Sequence, residues 1–559
     1  MSTSVVGRTR LGRVVANTGR DILVMIDISA DARRAVRLGD MVIIAGDGQS
    51  TVGVVSGMNA PAPGLESDGD DLWIAQVELA GTLGTRADAP VFSQSIPLPP
   101  ALGDIAYKAA PTDLRRLFRN GDDTAYPFGV ILGQHDVAAT IDGVGLVEGG
   151  FTIFGASGSG KSCSMASLVR ALLRHRHEVN TLLIDPYNEF GRSFGKAAVC
   201  IRPEPGLIPH WLLSFEELLW VLSLNGGPLD ADERSALEEG VPAARVRFLQ
   251  RGTRHKDGST VTTHTGMVSA DAPLPYRITD LLAYLEKNAQ SDDIRHARTY
   301  RRLRTRLLTA SGDPRLSVIF GNIAPTDNLA ELVKRLFRLE ANSPPMSVLQ
   351  LGTLTAGVDK LVVSVVCRLA TALAEWGGGN RRTLILLDDA ARFAPEQSPD
   401  EAAALSLNAL IKLGGRPKKL GTTIGVVASD PRSLSREVTA QCSTFFVHRI
   451  SSQLEIEAVE DMLPEAAGAY LAAVSNLGTG EAIGVGRGVP LAGRMAISPL
   501  PAAAIPTEHV ARPPGETIDF DAVEAMVQRW RSCGNFDGTD ADFEAEAPLP
   551  PPPAVDPGA

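Results

Sequence analysis

The octapeptide GASGSGKS, Gly155 to Ser162, constrains this chain more than any other stretch. It satisfies G-x-x-x-x-G-K-[ST] without a mismatch, and it stands between the apolar run GGFTIF and the amphipathic run KSCSMASLVRALLRH. Strand, glycine loop and helix are expected in that order. Glycines let the backbone curl so that successive N–H groups converge on phosphate oxygens, and the helix N-terminus adds partial positive charge. Gly155, Ala156, Ser157, Gly158, Ser159, Gly160, Lys161, Ser162 and Cys163 are therefore the expected nucleotide-binding residues. Lys161 is expected to reach the β- and γ-phosphates of ATP, and Ser162 to ligate Mg²⁺. A glycine-rich turn with a chance lysine is the plainer reading, and the flanking strand and helix speak against it.

The rest of the chain can be arranged around this loop. At 559 residues it exceeds one ordinary core, given about 150 residues per domain. From residue 5 to about 95, short β-rich runs (GRVV, DILVMID, RLGDMVIIAG, TVGVVSG, LWIAQVELAG, APVFS) alternate with turn residues. That spacing predicts a small β-barrel over 1–95, followed by a proline-rich, then partly helical connector over 96–128. Beyond it, fully apolar runs (GGFTIFG, TLLIDPYNEF, MSVLQLG, TLILLDDA, TTIGVVASD, STFFVHRI) alternate with helical patterns. This is the mark of a parallel sheet covered on both faces, in an α/β fold. The sheet-forming core falls into 129–204 and 346–505, with a helical insert over 205–345 between them. The segment 506–535 should be a helix, with Phe520, Val523, Met526, Val527 and Trp530 on one face. Residues 536–559, acidic and proline-rich, should be a disordered tail.

Composition excludes more than it selects. The formal net charge of −11 gives no sign of a globally basic nucleic-acid binder, although a basic pore or face is compatible with acidic tails. Five cysteines without C-x-x-C spacing indicate neither a zinc site nor a disulfide framework. No apolar run approaches the ~20 residues that span a bilayer, and no signal peptide is evident, so the cytoplasm is the expected compartment.

Two further strands end in acids. LLDDAARFAP places Asp388 and Asp389 at the end of an apolar run. Mg²⁺ bound at a phosphate loop needs a carboxylate fixed at a strand end, which suits Asp388, while Asp389 would polarise the attacking water. The alternative for both acids is to cap the following helix, since Asp is a good N-cap. In LLIDPYNEF, Asp185 ends another strand with Glu189 four residues on, which would bring both to the nucleotide crevice. A plain strand-to-turn reading accounts for DPYNE equally well.

The ordered set FTIFGASGSGKS, LLIDPYNEF, LILLDDAARFAP, LIKLGGRPKKLGTTIGVVASDPRSL and TAQCSTFFVHRI resembles the HerA family of hexameric DNA translocases, relatives of FtsK. The resemblance covers roughly residues 5 to 500. It implies a RecA-like P-loop NTPase sheet with an inserted helical subdomain, preceded by the N-terminal barrel of HerA proteins. It also implies that Lys161, Asp389, Arg416 and Glu189 serve catalysis and that Ser162 and Asp388 hold Mg²⁺. Arg416, in GGRPKK, falls where HerA-like proteins carry an arginine that reaches a neighbouring subunit's nucleotide, and Arg449 is a second candidate for that environment. A surface arginine at a helix end is the plain alternative for Arg416.

The chain also departs from that family. Members usually read Asp-Glu or Glu-Glu where this chain has Asp388-Asp389, often with a His two positions on. They commonly have Ser-Gln where it has Ser429-Asp430, and often a basic residue where it has Glu148-Gly149-Gly150. Replacing Glu by Asp withdraws the carboxylate by ~1.5 Å, and a misplacement of ~1 Å can cost ~10²-fold in rate. ATP binding is expected, with slow hydrolysis. Basic residues cluster at 295–308, at 250–258 and around Lys412, Arg416, Lys418 and Lys419. A ring would repeat each cluster around a pore that takes double-stranded DNA; for 295–308 a solvated helix face is the plainer reading. Two functions follow from the resemblance. One is a homohexameric scaffold that assembles a nuclease or NAD-consuming effector on its barrel in antiphage defence. The other is an ATP-driven translocase working with a NurA-type nuclease in DNA end resection. Neither involves a membrane.

Overall fold

The computed structural model describes residues 8–507, 523–524 and 527–528, apart from 20, 28, 30–31, 33–35, 47–48, 60–72, 85–91, 94, 120–121, 176–178, 253–267, 322–326, 341, 380, 398–399 and 464–467. The chain divides into two compact units. The first joins Met1–His177 to Thr423–Ile505, and the second joins Glu178–Thr422 to Pro506–Ala559. Phe520, Met526 and Trp530, the loop residues Arg254 and Lys256, and the tail 536–559 lie outside the described residues. Val523 and Val527 are helical.

The first unit opens with the strands β1 (Arg10–Asn17), β2 (Asp21–Ile26), β3 (Met41–Ala45), β4 (Ser50–Asn59), β5 (Ile74–Leu83), β6 (Phe92–Ser93) and β7 (Ile105–Lys108). They pair in the order β2-β1-β7-β3-β4-β5, and β2 returns to pair with β5. A six-stranded barrel is thereby closed. β6 pairs with β5 alone, and β7, four residues within the stretch read as a connector, supplies the sixth staves' place between β1 and β3. Alternation in β2, where Ile22, Val24 and Ile26 are buried and their neighbours are not, sends one face inward. Leu11, Val14, Val42, Ile44, Val55 and Val77 meet those residues in the barrel core. Each such aliphatic side chain gains roughly 1.5–3 kcal/mol by burial.

The remaining strands of this unit are β8 (Ala125–Ile131), β9 (Gln134–Asp142), β10 (Phe151–Phe154), β15 (Thr422–Ala428), β16 (Thr444–Val447), β17 (Glu481–Gly486) and β18 (Gly493–Ile497). β10 lies between β15 and β16 and is parallel to both. Its four residues are all buried, as a strand covered on both faces requires. From β16 outward the order β16-β17-β18-β8-β9 is antiparallel.

The second unit holds a fully parallel sheet in the order β12-β13-β11-β14, from β11 (Val179–Asp185), β12 (Ala198–Ile201), β13 (Met346–Gln350) and β14 (Arg382–Leu387). All seven residues of β11 are buried. Helices carry the insert, among them Phe215–Ser223, Ala231–Gly252, Ile278–Asn288 and Ile294–Ser311. The first starts with a capping box. Ser214 Oγ accepts from the Glu217 N–H at 3.3 Å while Glu217 accepts from the Ser214 N–H at 2.7 Å, so two otherwise orphaned donors are satisfied. Three of the six arginines of 295–308 are paired within the unit: Arg302 with Asp230 and Glu233, Arg304 with Glu286 at 2.6 Å, and Arg306 with Glu233. That is the solvated helix face expected of the plainer reading.

Candidate functional site

In the first unit, β10 runs into the loop 155–160, and the helix Lys161–His175 leaves it. The loop curls because Gly155, Gly158 and Gly160 take φ of +155°, +72° and +104°, values that disfavour any side chain. Gly155 is also confined. A Cβ there would meet the Cβ of His448 at 2.5 Å and the hydroxyl of Ser159 at 2.7 Å. The loop is tied down on two sides, by the Ala156 N–H donating to the Arg449 carbonyl at 2.9 Å and the Gly480 N–H donating to the Ser159 carbonyl at 3.0 Å. The turn Gly478–Glu481, which sequence reasoning passed over, is therefore part of the cradle. Arg449 contributes through its backbone.

Beneath the loop the buried Ser159 hydroxyl has no hydrogen-bond partner, and the His448 ring faces the backbone of Glu481 and Ser159 without a well-aligned bond. His448 is fully buried, and burial with the nearby Lys161 cation brings its pKa down to about 4, so its ring is neutral. Its position, one residue past a strand flanking the loop strand, was visible in TFFVHRI. Lys161 Nζ donates to the Ala156 carbonyl at 3.0 Å, folded back along the loop. Ser162 and Cys163 open the helix and are partly buried. A glycine cradle of converging N–H groups, a cation and a hydroxyl at a helix N-terminus form the donor set that a nucleotide's phosphates and Mg²⁺ call for.

In the second unit the strand ends gather carboxylates. Asp185, fully buried at the end of β11, accepts from the N–H groups of Glu189 at 3.1 Å and Phe190 at 3.0 Å, which fixes the turn that follows. Burial raises its pKa. Asp388, just past β14 and 6% exposed, is pushed up to about 7 by burial and then by Glu189, Asp185 and Asp389. A cation beside Asp388 would relieve the repulsion these three carboxylates exert on it. Among the described residues no group of three or more His, Cys, Asp or Glu side chains is arranged to hold a metal unaided. A metal at Asp388 would draw its remaining ligands from phosphate, hydroxyl and water.

Asp389 does not cap a helix with its side chain. Its backbone is left-handed, at φ +45° and ψ +52°, and its carboxylate accepts from the Tyr187 hydroxyl at 2.5 Å. The guanidinium of Arg392 lies 5.8 Å from the centroid of the Tyr187 ring, and its Nε donates to buried Asp359 at 2.6 Å. Sequence reasoning missed all three partners, although Tyr187 and Arg392 stand inside the quoted stretches DPYNE and DDAARF. Asp430 is engaged locally, pairing with Arg432 at 3.1 Å. Arg416 opens the short helix Arg416–Lys419 with its side chain exposed. The expected site residues thus form two sets, the loop set in the first unit and the carboxylates with Arg416 in the second.

Residues 126–370 match the family model described as "Helicase HerA, central domain". This part of the chain is a HerA-type P-loop ATPase domain. The match takes in the loop, Asp185 and Glu189 and ends before Asp388. Among solved structures, VirB4 of Thermoanaerobacter pseudethanolicus is 20% identical over 68% of this chain and 98% of its own, with a TM-score of 0.46. The plasmid coupling protein TrwB in complex with ADP and Mg²⁺ is 13% identical over 73% and 94%, with a TM-score of 0.41. The genome packaging NTPase B204 from Sulfolobus turreted icosahedral virus 2 in complex with ATP-gammaS is 8% identical over 60% and 91%, with a TM-score of 0.26. No curated protein sequence matches the chain. Among the described residues, no helix is long and apolar enough to cross a membrane.

Proposed function

We propose that this HerA-type chain binds ATP with Mg²⁺, assembles as a homohexameric ring around double-stranded DNA, and uses that ring to assemble and drive a nuclease or NAD-consuming effector in antiphage defence. The observation that carries the nucleotide part is the cradle: a loop held open by left-handed glycines, tied to Arg449 and Gly480, with Lys161 and Ser162 at its helix end. Lys161 neutralises the β- and γ-phosphates, and Ser162 with Asp388 holds Mg²⁺. Asp389 accepts the proton of the attacking water, with Glu189 beside it as a further acid. Arg416 reaches from one subunit to the phosphates of the next, where such an arginine adds ~10³-fold or more to the rate. Its exposed position supports that role.

The altered acid favours a scaffold over a fast motor, because a ring that holds an effector in place tolerates slow turnover. The barrel is the docking surface for that effector. Mass photometry with and without ATP and Mg²⁺ tests the reading. A nucleotide-dependent hexamer that retains an effector in pull-downs from the native host supports it, and a monomer that binds no nucleotide sinks it. Rapid directional movement on duplex DNA with a NurA-type nuclease would establish the resection translocase instead.

A further inference from the structure

We infer that Tyr187 is the positioning residue of Asp389. The inference rests on the reading of Asp389 as the acid that takes the water's proton. Asp389 follows Asp388 just past the end of β14, the strand that pairs with β11, whose end carries Asp185 and, two residues on, Tyr187. The Tyr187 hydroxyl sets the direction of the Asp389 carboxylate, donating to it at 2.5 Å. Being neutral, the donor directs the carboxylate without pairing off its charge, as an arginine at that place would do.

Tyr187 can impose a direction because it is itself held. Asp185 fixes the turn from within through the Glu189 and Phe190 N–H groups. The next residue, Asn188, is left-handed at φ +60° and accepts from the Gly352 N–H at 3.0 Å, which anchors the turn to the loop after β13. On the ring side, Arg392 packs over the phenol and is fixed in turn by buried Asp359. The left-handed backbone of Asp389 completes the arrangement, because a strained conformation of this kind persists only where its surroundings over-determine it.

A double-mutant cycle on the full chain tests this, with ATP turnover and nucleotide affinity both measured. Asp389→Asn should lower kcat by about 10²-fold or more. Tyr187→Phe should lower kcat by about 10²-fold, the cost of a misplacement near 1 Å, with nucleotide affinity unchanged. The Tyr187→Phe change should have little further effect in the Asp389→Asn background, since its effect on turnover runs through the bond the hydroxyl donates to that carboxylate, while its contact with Arg392 is the same in both backgrounds. A Tyr187→Phe chain as fast as the parent, or one whose loss adds in full to that of Asp389→Asn, overturns the inference. An Asp389→Asn chain with parental turnover overturns the reading of Asp389 and the inference together, so the two failures are distinguishable.

Discussion

The phosphate loop and the carboxylate-bearing strand ends are both strand termini of parallel sheets, yet they are built by opposite means. The loop works through its backbone. Its glycine dihedrals, its ties to Arg449 and Gly480 and the helix end are all main-chain features, and one sequence motif specifies them. The acid end is built from side chains brought from three separate stretches, 185–189, 359 and 388–392, and Asp389 there accepts from a tyrosine that no motif names. A backbone site is fixed by local sequence. A side-chain site is fixed by tertiary packing, and can change its residues while keeping its place.

The comparison breaks most visibly at the two charged groups. Lys161→Ala removes the one cation of the loop, and turnover should fall by roughly 10²–10³-fold or more with weakened nucleotide affinity, as for loss of a phosphate clamp. Asp388→Asn should leave nucleotide affinity in EDTA unchanged and remove the gain that Mg²⁺ confers, which isothermal titration with and without the metal reads directly. If both variants lost affinity equally in EDTA, the division between phosphate cradle and metal-side acid would be wrong.

This contrast also explains what could be read before the structure. The loop, the β-barrel, the α/β alternation and the strand-end acids were all legible, because each depends on periodicity or on a contiguous motif. β7 was not, since four residues after a proline-rich run carry too little alternation to announce a barrel strand. His448 was hidden because burial of a histidine is decided by what packs over it. Tyr187, Arg392 and Asp359 were hidden because their significance lies in one another, across more than 200 residues of chain. Asp389 was legible as an acid and illegible as a left-handed residue, so its helix-capping alternative stayed open until the backbone was seen.

Within the loop, two glycines separate backbone freedom from steric fit. At Gly155 both apply, and Gly155→Ala should cost about 3 kcal/mol in stability, because the new methyl would press on His448 and Ser159. At Gly158, φ is equally left-handed but nothing lies within 4 Å of an added Cβ, so Gly158→Ala should cost only about 1 kcal/mol. Chemical denaturation of the two variants measures the difference. Equal losses would mean that the floor under Gly155 yields to the methyl.

The smallest effect concerns that floor. The folded-state pKa of His448, about 4, lies below its ordinary 6.5, so the unfolded chain binds the extra proton first as the pH falls. Its contribution to stability is full above pH 6.5 and is lost as the pH drops toward 4, amounting to about 2 kcal/mol at pH 5. In the second unit His210 also sits near 4 by burial, yet its Nε2–H donates to the Tyr276 carbonyl at 2.9 Å, whereas the His448 ring only approaches the Glu481 and Ser159 backbone without a well-aligned bond. Replacing His448 by Leu should therefore flatten the acid limb of thermal stability and raise the melting temperature at pH 5, because a buried, weakly bonded polar ring is exchanged for an apolar side chain. Replacing His210 by Leu removes the same titration but leaves the Tyr276 carbonyl without its donor, and should lower stability at pH 7. If both variants lost stability alike at pH 7, the approaches of His448 to the Glu481 and Ser159 backbone would be full hydrogen bonds, and the loop would rest on them rather than on packing.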